Sequence, residues 1–132
     1  MKRIETIHLP NGLMLTINDL SRRIAADTVK VELSFQMKVK VEPSFFASPD
    51  DHRQLTGIFG DELTYEHKLE RTFVAEAEKS ATRADLLETF KNNSLGYLST
   101  PDFAKRMALS LLKDIRRNPF KYRKNPFPEQ TE

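Results

Sequence analysis

VKVELSFQMKVKV, residues 29 to 41, alternates apolar and polar side chains without a break. Successive side chains of a strand point to opposite faces of a sheet, so this pattern predicts one long β-strand with an apolar and a polar face. In a helix the same apolar residues would be spread around the whole circumference. The apolar set is Val29, Val31, Leu33, Phe35, Met37, Val39 and Val41. We therefore predict a strand over about 28–42 with one face in a core.

Two shorter strands precede this one, at about 3–9 and 12–19. They are joined by Pro10-Asn11-Gly12, and Asn-Gly is the preferred pair for a type I′ hairpin turn because both positions tolerate positive φ. Residues 18–27 are interpreted as a link into the long strand, with partial strand pairing of that link left open as an alternative.

Alternation returns at Leu63 and predicts a fourth strand over about 62–70. The competing interpretation is an early start of the next helix, since Leu69 and Phe73 also have helical spacing. The long connection 42–61 contains Ser48-Pro49-Asp50-Asp51, a typical helix start with a capping hydroxyl, a proline and two acids. We predict a short helix from there through about Thr56, closed by Gly57, that buries Leu55.

The C-terminal half is predicted to form two amphipathic helices, at about 72–92 and 101–117, the second opened by Ser99-Thr100-Pro101-Asp102. The first apolar stripe is Phe73, Ala77, Ala81, Ala84, Leu87 and Phe90, and the second is Phe103, Ala104, Met107, Ala108, Leu111, Leu112 and Ile115. We expect the first helix to end at Asn92-Asn93-Ser94. The fold class is α+β: an antiparallel N-terminal sheet of about four strands with both helices packed on one face. One domain spans 1–118, and 119–132 is a basic and aromatic tail, a candidate for flexibility.

Composition limits the classes of function. The chain has 132 residues, a net charge of +2 and no cysteine, which excludes disulfides, thiolate metal sites and thiol nucleophiles. No apolar segment follows the basic N-terminus, and no run approaches the roughly 20 apolar residues that a membrane helix needs. We expect a soluble, cytoplasmic protein without a membrane partner.

Catalytic and metal-binding patterns are weak. His8, His52 and His67 lie in different predicted elements, and no two of them have the spacing of a helical metal site. The paired carboxylates stand in polar surroundings, and the four glycines form neither a P-loop nor a dinucleotide fingerprint. We predict no catalytic residue, no metal and no cofactor, and an enzyme of unrecognised type is the third-ranked possibility.

The favoured function is a non-catalytic binding or regulatory module that acts through a protein partner. Its candidate surface lies in the connection and consists of Phe45, Phe46, Leu55, Ile58 and Phe59. Phe45 and Phe46 are adjacent, so in an extended segment only one is easily buried and the other is free to anchor a partner. The surface is predicted to bind another protein or a second copy of the chain. The alternative is that the short helix caps the core and buries these residues.

A second candidate surface is basic and would bind nucleic acid through phosphate contacts and stacking. Its cations are Arg116, Arg117, Lys121, Arg123 and Lys124, and Phe120, Tyr122 and Phe127 are interspersed among them. The alternative is that Phe120 and Tyr122 pack back on the domain while the cations favour the helix dipole. The near-neutral net charge ranks nucleic acid below a protein partner.

A further alternative concerns nucleotides. Asp19-Leu20-Ser21-Arg22-Arg23-Ile24 resembles the D-x-S-x-x-G stretch of PilZ domains, which bind a cyclic dinucleotide. The resemblance covers six residues, and Ile24 stands where that family has glycine. It implies that Arg22 and Arg23 would contact phosphate.

Overall fold

The computed structural model describes residues 2–122, which form a five-stranded antiparallel sheet and three α-helices. The elements are β1 (Lys2–His8), β2 (Met14–Asp19), β3 (Arg22–Ala25), β4 (Thr28–Lys40), α1 (Pro49–Phe59), β5 (Glu62–Ala75), α2 (Lys79–Leu98) and α3 (Phe103–Arg117). Short 3₁₀ turns lie at Pro43–Phe45 and Glu76–Glu78. The predicted α+β class is confirmed.

Internal contacts divide the chain into two compact units. The first, here called the sheet unit, comprises, of the described residues, 2–39 and Thr64–Phe103. The second, the helical unit, comprises Lys40–Leu63 and, of the described residues, 104–122. The single domain over 1–118 stays a prediction, and each unit is described by itself.

β4 is the central strand of the sheet unit, and its alternation is confirmed. Its apolar side chains are all buried, among them Phe35 and Val39. β2 pairs antiparallel with β4, with Ile17 opposite Phe35. β5 pairs with the other edge of β4. The strand that the sequence indicates most clearly therefore has neighbours on both sides, which explains why it contributes more buried apolar side chains to the sheet unit than any other element.

The link at 18–27 contains a strand. β3 pairs antiparallel with β4, with Arg22 opposite Lys30, in the same register in which Asp19 of β2 is opposite Leu33. β3 thus continues the line of β2 along one edge of β4. Of the two interpretations of residues 18–27, the one with partial strand pairing is therefore correct. Only Ala26 and Asp27 remain between β3 and β4.

The first hairpin turns where the sequence predicts, but the predicted turn type is wrong. The N–H of Gly12 donates to the C=O of Leu9 (3.0 Å), so the central residues are Pro10 and Asn11. Proline fixes a negative φ, and the positive φ, +90°, falls on Gly12 alone. This is the three-residue type of hairpin loop that ends in a left-handed glycine. The Asn11 amide donates to the C=O groups of Leu98 and Thr100, both at 2.8 Å, which fastens the loop to the end of α2.

The boundary between β5 and α2 lies later than predicted. β5 continues to Ala75, and α2 spans Lys79–Leu98 instead of 72–92. Phe73 is 81% exposed with a φ of +57°, so it is not part of a buried helical stripe. β5 pairs with β4, and just beyond the two strands the N–H of Glu76 donates to the C=O of Asp27 at 2.9 Å, so the chain stays extended through this segment. Ala81 and Ala84 are exposed, and the buried side chains of α2 are Leu86, Phe90 and Leu98.

α2 packs on the apolar face of the sheet through one ring stack. Phe90 lies parallel to Phe35, with ring centroids 3.7 Å apart and planes 8° apart. Polar contacts flank the stack: Lys91 Nζ lies 3.1 Å from Glu5 Oε1. Because a buried stack fixes both the position and the tilt of a ring, we infer that it sets how α2 lies on the sheet.

Asp19 supplies a second contact to α2, and its lowered pKa is expected to make the stability of the sheet unit pH-dependent. Its Oδ2 lies 2.9 Å from Arg83 Nη1, and its Oδ1 accepts the N–H of Ser21 at 2.8 Å. Burial raises the pKa of Asp19, but the hydrogen bonds from Ser21 and Arg83 outweigh burial and hold that pKa below its ordinary value. A lowered carboxyl pKa stabilises the folded state above about pH 4, and this stabilisation is lost as the pH falls through the lowered pKa.

The expected result is that wild type is more stable than Asp19→Asn at neutral pH and that the difference in unfolding free energy shrinks below about pH 4. Urea denaturation of both proteins along a pH series measures it. Arg83→Met should reduce the same pH-dependent difference because it removes one of the groups that favour the carboxylate. A difference that stayed constant down to the lowest pH would contradict this role of Asp19.

The helical unit contains α1, which starts as predicted and ends later. The Ser48 hydroxyl accepts the N–H of Asp51, with Pro49 in the first turn. Gly57 does not close the helix, because it lies within α1, and the chain leaves the helix at Gly60 with a φ of +79°. Leu55 is buried, as predicted.

α3 agrees with its prediction except that it begins at Phe103 rather than 101. Every residue of its predicted stripe is buried or half-buried, and Ala108, Leu112 and Ile115 are buried in the helical unit. α1 and α3 are joined in this unit by Arg116, which contacts Asp51 and donates to Gln54 Oε1 at 3.1 Å.

Candidate docking groove

A groove of about 820 Å³ opens on the surface of the helical unit. Its lining includes four large apolar side chains, here together called the floor: Phe45 and Phe46, and Leu109 and Leu112 of α3. The lining also includes exposed cationic side chains of α3, here called the rim, among them Lys105 and Lys113. The lining therefore combines large apolar side chains with positively charged ones.

The two phenylalanines are positioned by the 3₁₀ turn at Pro43–Phe45. The N–H of Phe46 donates to the C=O of Pro43 at 3.2 Å, which closes the turn. The ring centroids of Phe45 and Phe46 lie 6.3 Å apart, and Phe46 also contacts the His52 ring at 5.6 Å. Both phenylalanines are half-buried, whereas an extended segment would have exposed one and buried the other. The expectation of one buried and one exposed ring is wrong because the backbone turns there.

α3 contributes a stripe that runs from Lys105 through Leu109 to Lys113. Residues four apart lie on the same helix face, so the leucine stands one turn from each lysine. Leu109 is 37% exposed and lines the groove together with Phe45 and Phe46, so the three form a contiguous apolar patch. No ion pair to Lys105 or Lys113 is formed within residues 2–122. Arg116, also on the rim, is neutralised by Asp51.

The five residues of the predicted partner surface are only partly brought together. Phe45 and Phe46 line the groove, but Ile58 and Phe59 are half-buried outside it. Phe59 packs edge-on against Tyr122, with ring centroids 5.6 Å apart. The prediction that Leu55 belongs to the partner surface is wrong. Its side chain is fully buried in the core of the helical unit and is not available to a partner. For Leu55, the alternative that the short helix buries the residue is therefore the correct one.

The basic candidate patch is largely compensated by acids where the structure describes it. Arg116 contacts Asp51, and Lys121 lies 3.4 Å from Asp114 Oδ2. Asp114 also accepts the Tyr122 hydroxyl, and this hydrogen bond lowers the pKa of the carboxyl. Tyr122 thus packs back on the helical unit, while Phe120 is 78% exposed. Arg117 is exposed, and Arg123, Lys124 and Phe127 lie outside the described residues.

The two arginines that the PilZ-like stretch singles out do not converge. Arg22 Nη1 lies 3.1 Å from Glu32 Oε1, and Arg23 Nη2 lies 3.2 Å from Glu76 Oε1. The side chains of consecutive strand residues point to opposite faces of the sheet, so the two guanidinium groups cannot bind the same phosphate. Each already has a carboxylate partner.

The sequence interpretation missed the contribution of α3 to this groove. Lys105, Leu109 and Lys113 were not singled out, because a charged helix face is normally solvated. One signal was available: Leu109 stands outside the apolar stripe of α3 and so has no reason of its own to be apolar.

Within residues 2–122, no three histidine, aspartate or glutamate side chains are grouped so that they could hold a metal ion. No helix among those residues has the length and apolar character needed to cross a bilayer.

Comparison of the chain with protein-family models, with curated proteins and with solved structures finds no match. The groove must therefore be interpreted from its own geometry.

Proposed function

We propose that this chain is a non-catalytic binding module that acts through a protein partner docked in the groove of the helical unit. The observation that carries the proposal is the half-exposed apolar floor formed by Phe45, Phe46 and Leu109. Aromatic side chains seated in a concave, partly desolvated surface are the usual anchors of protein interfaces. We expect the partner to be cytoplasmic, the compartment that suits a chain without cysteine.

The shape of the site supports a protein segment over a small molecule. The groove is open to solvent, whereas small-molecule sites enclose most of their ligand. An open groove beside a helix can accept a peptide that continues beyond it in both directions.

Nucleic acid is the weaker proposal. Affinity for nucleic acid comes mainly from cations that are available to phosphates. Among the described cations proposed for that role, Arg22, Arg23, Arg116 and Lys121 each lie beside a carboxylate. Their pairing partners would have to be displaced before a phosphate could bind.

Leu109→Gln is expected to abolish recovery of the partner, because it places a polar group on the groove floor. Leu109 is already partly exposed, so the variant should fold normally. The measurement is affinity purification from the native cell, with and without nuclease treatment. Met14→Gln is the matched control, since Met14 is an exposed apolar residue (49%) of the sheet unit.

Wild type and Met14→Gln should recover the same protein, and nuclease treatment should not change the result. The proposal fails if Leu109→Gln retains every protein that wild type recovers, or if nuclease treatment removes all of them.

A further inference from the structure

The rim of the groove carries a simple charge pattern. Along one face of α3, Lys105, Leu109 and Lys113 follow each other at steps of four residues. At 1.5 Å per residue the two lysines are about 12 Å apart along the helix axis, with the leucine midway. Neither lysine forms an ion pair within residues 2–122, so both charges are available to a ligand.

The acidic side chain in the described lining of the groove does not cancel this charge. Asp51 lines the groove, but it contacts Arg116 and thereby neutralises a different cation. An apolar floor with two available cations on its rim favours an occupant that is apolar at its centre and negatively charged on both sides.

We propose that the occupant is a short acidic segment of the partner protein, in which one aromatic or aliphatic side chain stands between two carboxylates. This inference rests on the proposed docking function and specifies the chemistry of the partner. In an extended segment the side chains on one face recur every second residue, and residues four apart are separated by about 13 Å. An acid, an apolar residue two positions on and a second acid two positions further therefore match Lys105, Leu109 and Lys113 in order.

A polynucleotide is a poorer fit to the same groove. Two available lysines would neutralise only two phosphates, and affinity for nucleic acid scales with the number neutralised. The leucine between them can pack against an aliphatic or aromatic side chain, but it cannot form a hydrogen bond to a base edge. Nucleic acid is therefore kept as an outcome of the test.

The test uses the full chain and short labelled peptides whose binding is followed by fluorescence anisotropy. The central sequences are Glu-Ser-Phe-Ser-Glu, Lys-Ser-Phe-Ser-Lys and Glu-Ser-Ala-Ser-Glu within otherwise identical glycine-serine peptides, and a single-stranded oligonucleotide is a fourth probe. We expect the acidic phenylalanine peptide to bind about tenfold more tightly than the basic one, the size of effect that two exposed ion pairs give. The alanine peptide should bind more weakly, and salt should reduce the preference.

The decisive variant is Lys105→Glu/Lys113→Glu, which should reverse the preference so that the basic peptide binds more tightly. Lys68→Glu/Arg117→Glu makes the same change in net charge at exposed positions outside the groove and should keep the preference of wild type. Thermal unfolding by circular dichroism confirms that both variants are folded.

Equal binding of the acidic and basic phenylalanine peptides, lost in Leu109→Gln, would overturn the charge pattern and leave the docking function standing. Binding of no peptide, while Leu109→Gln still loses the partner in the affinity purification, would overturn the inference alone. Preference for the oligonucleotide, lost in Lys105→Glu/Lys113→Glu, would replace the acidic segment by a polyanion.

Discussion

Replacing Phe35 by alanine is expected to lower the free energy of unfolding by about 3–5 kcal/mol, the usual cost of removing a buried phenylalanine side chain. Phe35 is fully buried at the middle of β4 and stacks on Phe90 of α2. The substitution therefore opens a cavity in the core of the sheet unit and removes the contact that orients the helix. Urea denaturation monitored by circular dichroism measures the loss.

Gln36→Ala is the matched control because Gln36 is the next residue of the same strand and points to the other face. Its amide donates to Glu66 at 3.0 Å, a side-chain bond at the surface, so the loss should be at most about 1 kcal/mol. A double-mutant cycle of Phe35→Ala with Phe90→Ala should show a coupling of about 0.5–1.5 kcal/mol. Equal stability of Phe35→Ala and Gln36→Ala would mean that the two faces of β4 are wrongly assigned.

Leu55→Ala is expected to cost about 2–5 kcal/mol, measured in the same way. Leu55 is completely buried in the helical unit, where α1 and α3 are joined by Arg116. A smaller side chain at this position leaves a cavity that the two helices can close only by shifting.

Arg53→Ala serves as the control on the same helix. Arg53 is exposed and pairs with Asp50 one turn away, and such surface pairs contribute about 0–1 kcal/mol. If Leu55→Ala destabilised the protein no more than Arg53→Ala, Leu55 would not be a core residue. The prediction that Leu55 belongs to the partner surface would then regain its support.

The parts of the fold that the sequence predicts correctly are those in which one local pattern is unopposed. The alternation from Val29 to Val41 admits one interpretation, and β4 has that course to within two residues. α3 is also predicted correctly to within two residues, because its apolar stripe is regular and Asn118-Pro119 follows its end.

The errors occur where pairing between distant residues overrides a local signal. Phe73 has helical spacing to Ala77 and Phe90, but β5 is held extended past it by pairing along β4. Gly57 is a common helix end, yet α1 continues to Phe59. The extended conformation at Phe73 and the continuation of α1 past Gly57 both depend on contacts with the rest of the fold, so no local pattern could have predicted them.

The groove was only half predicted for a related reason. Phe45 and Phe46 stand out in the sequence because no periodicity explains them. Lys105 and Lys113 resemble any solvated helix face, and their significance arises only when α3 is placed beside the turn that carries the phenylalanines. The phenylalanines and the lysines are about 60 residues apart in sequence, so they come together only in the folded helical unit.

The central claim is that the groove of the helical unit is the docking site, and amide hydrogen exchange tests it most directly. It would be measured on the dilute protein alone and on its complex with the partner recovered by affinity purification. Free protein should exchange slowly through the middle of α1, since Leu55 anchors that helix. On binding, exchange should slow at residues 44–47 and 105–113 and stay unchanged in β1 and β2. Protection confined to the sheet unit, with residues 44–47 and 105–113 unaffected, would contradict the account.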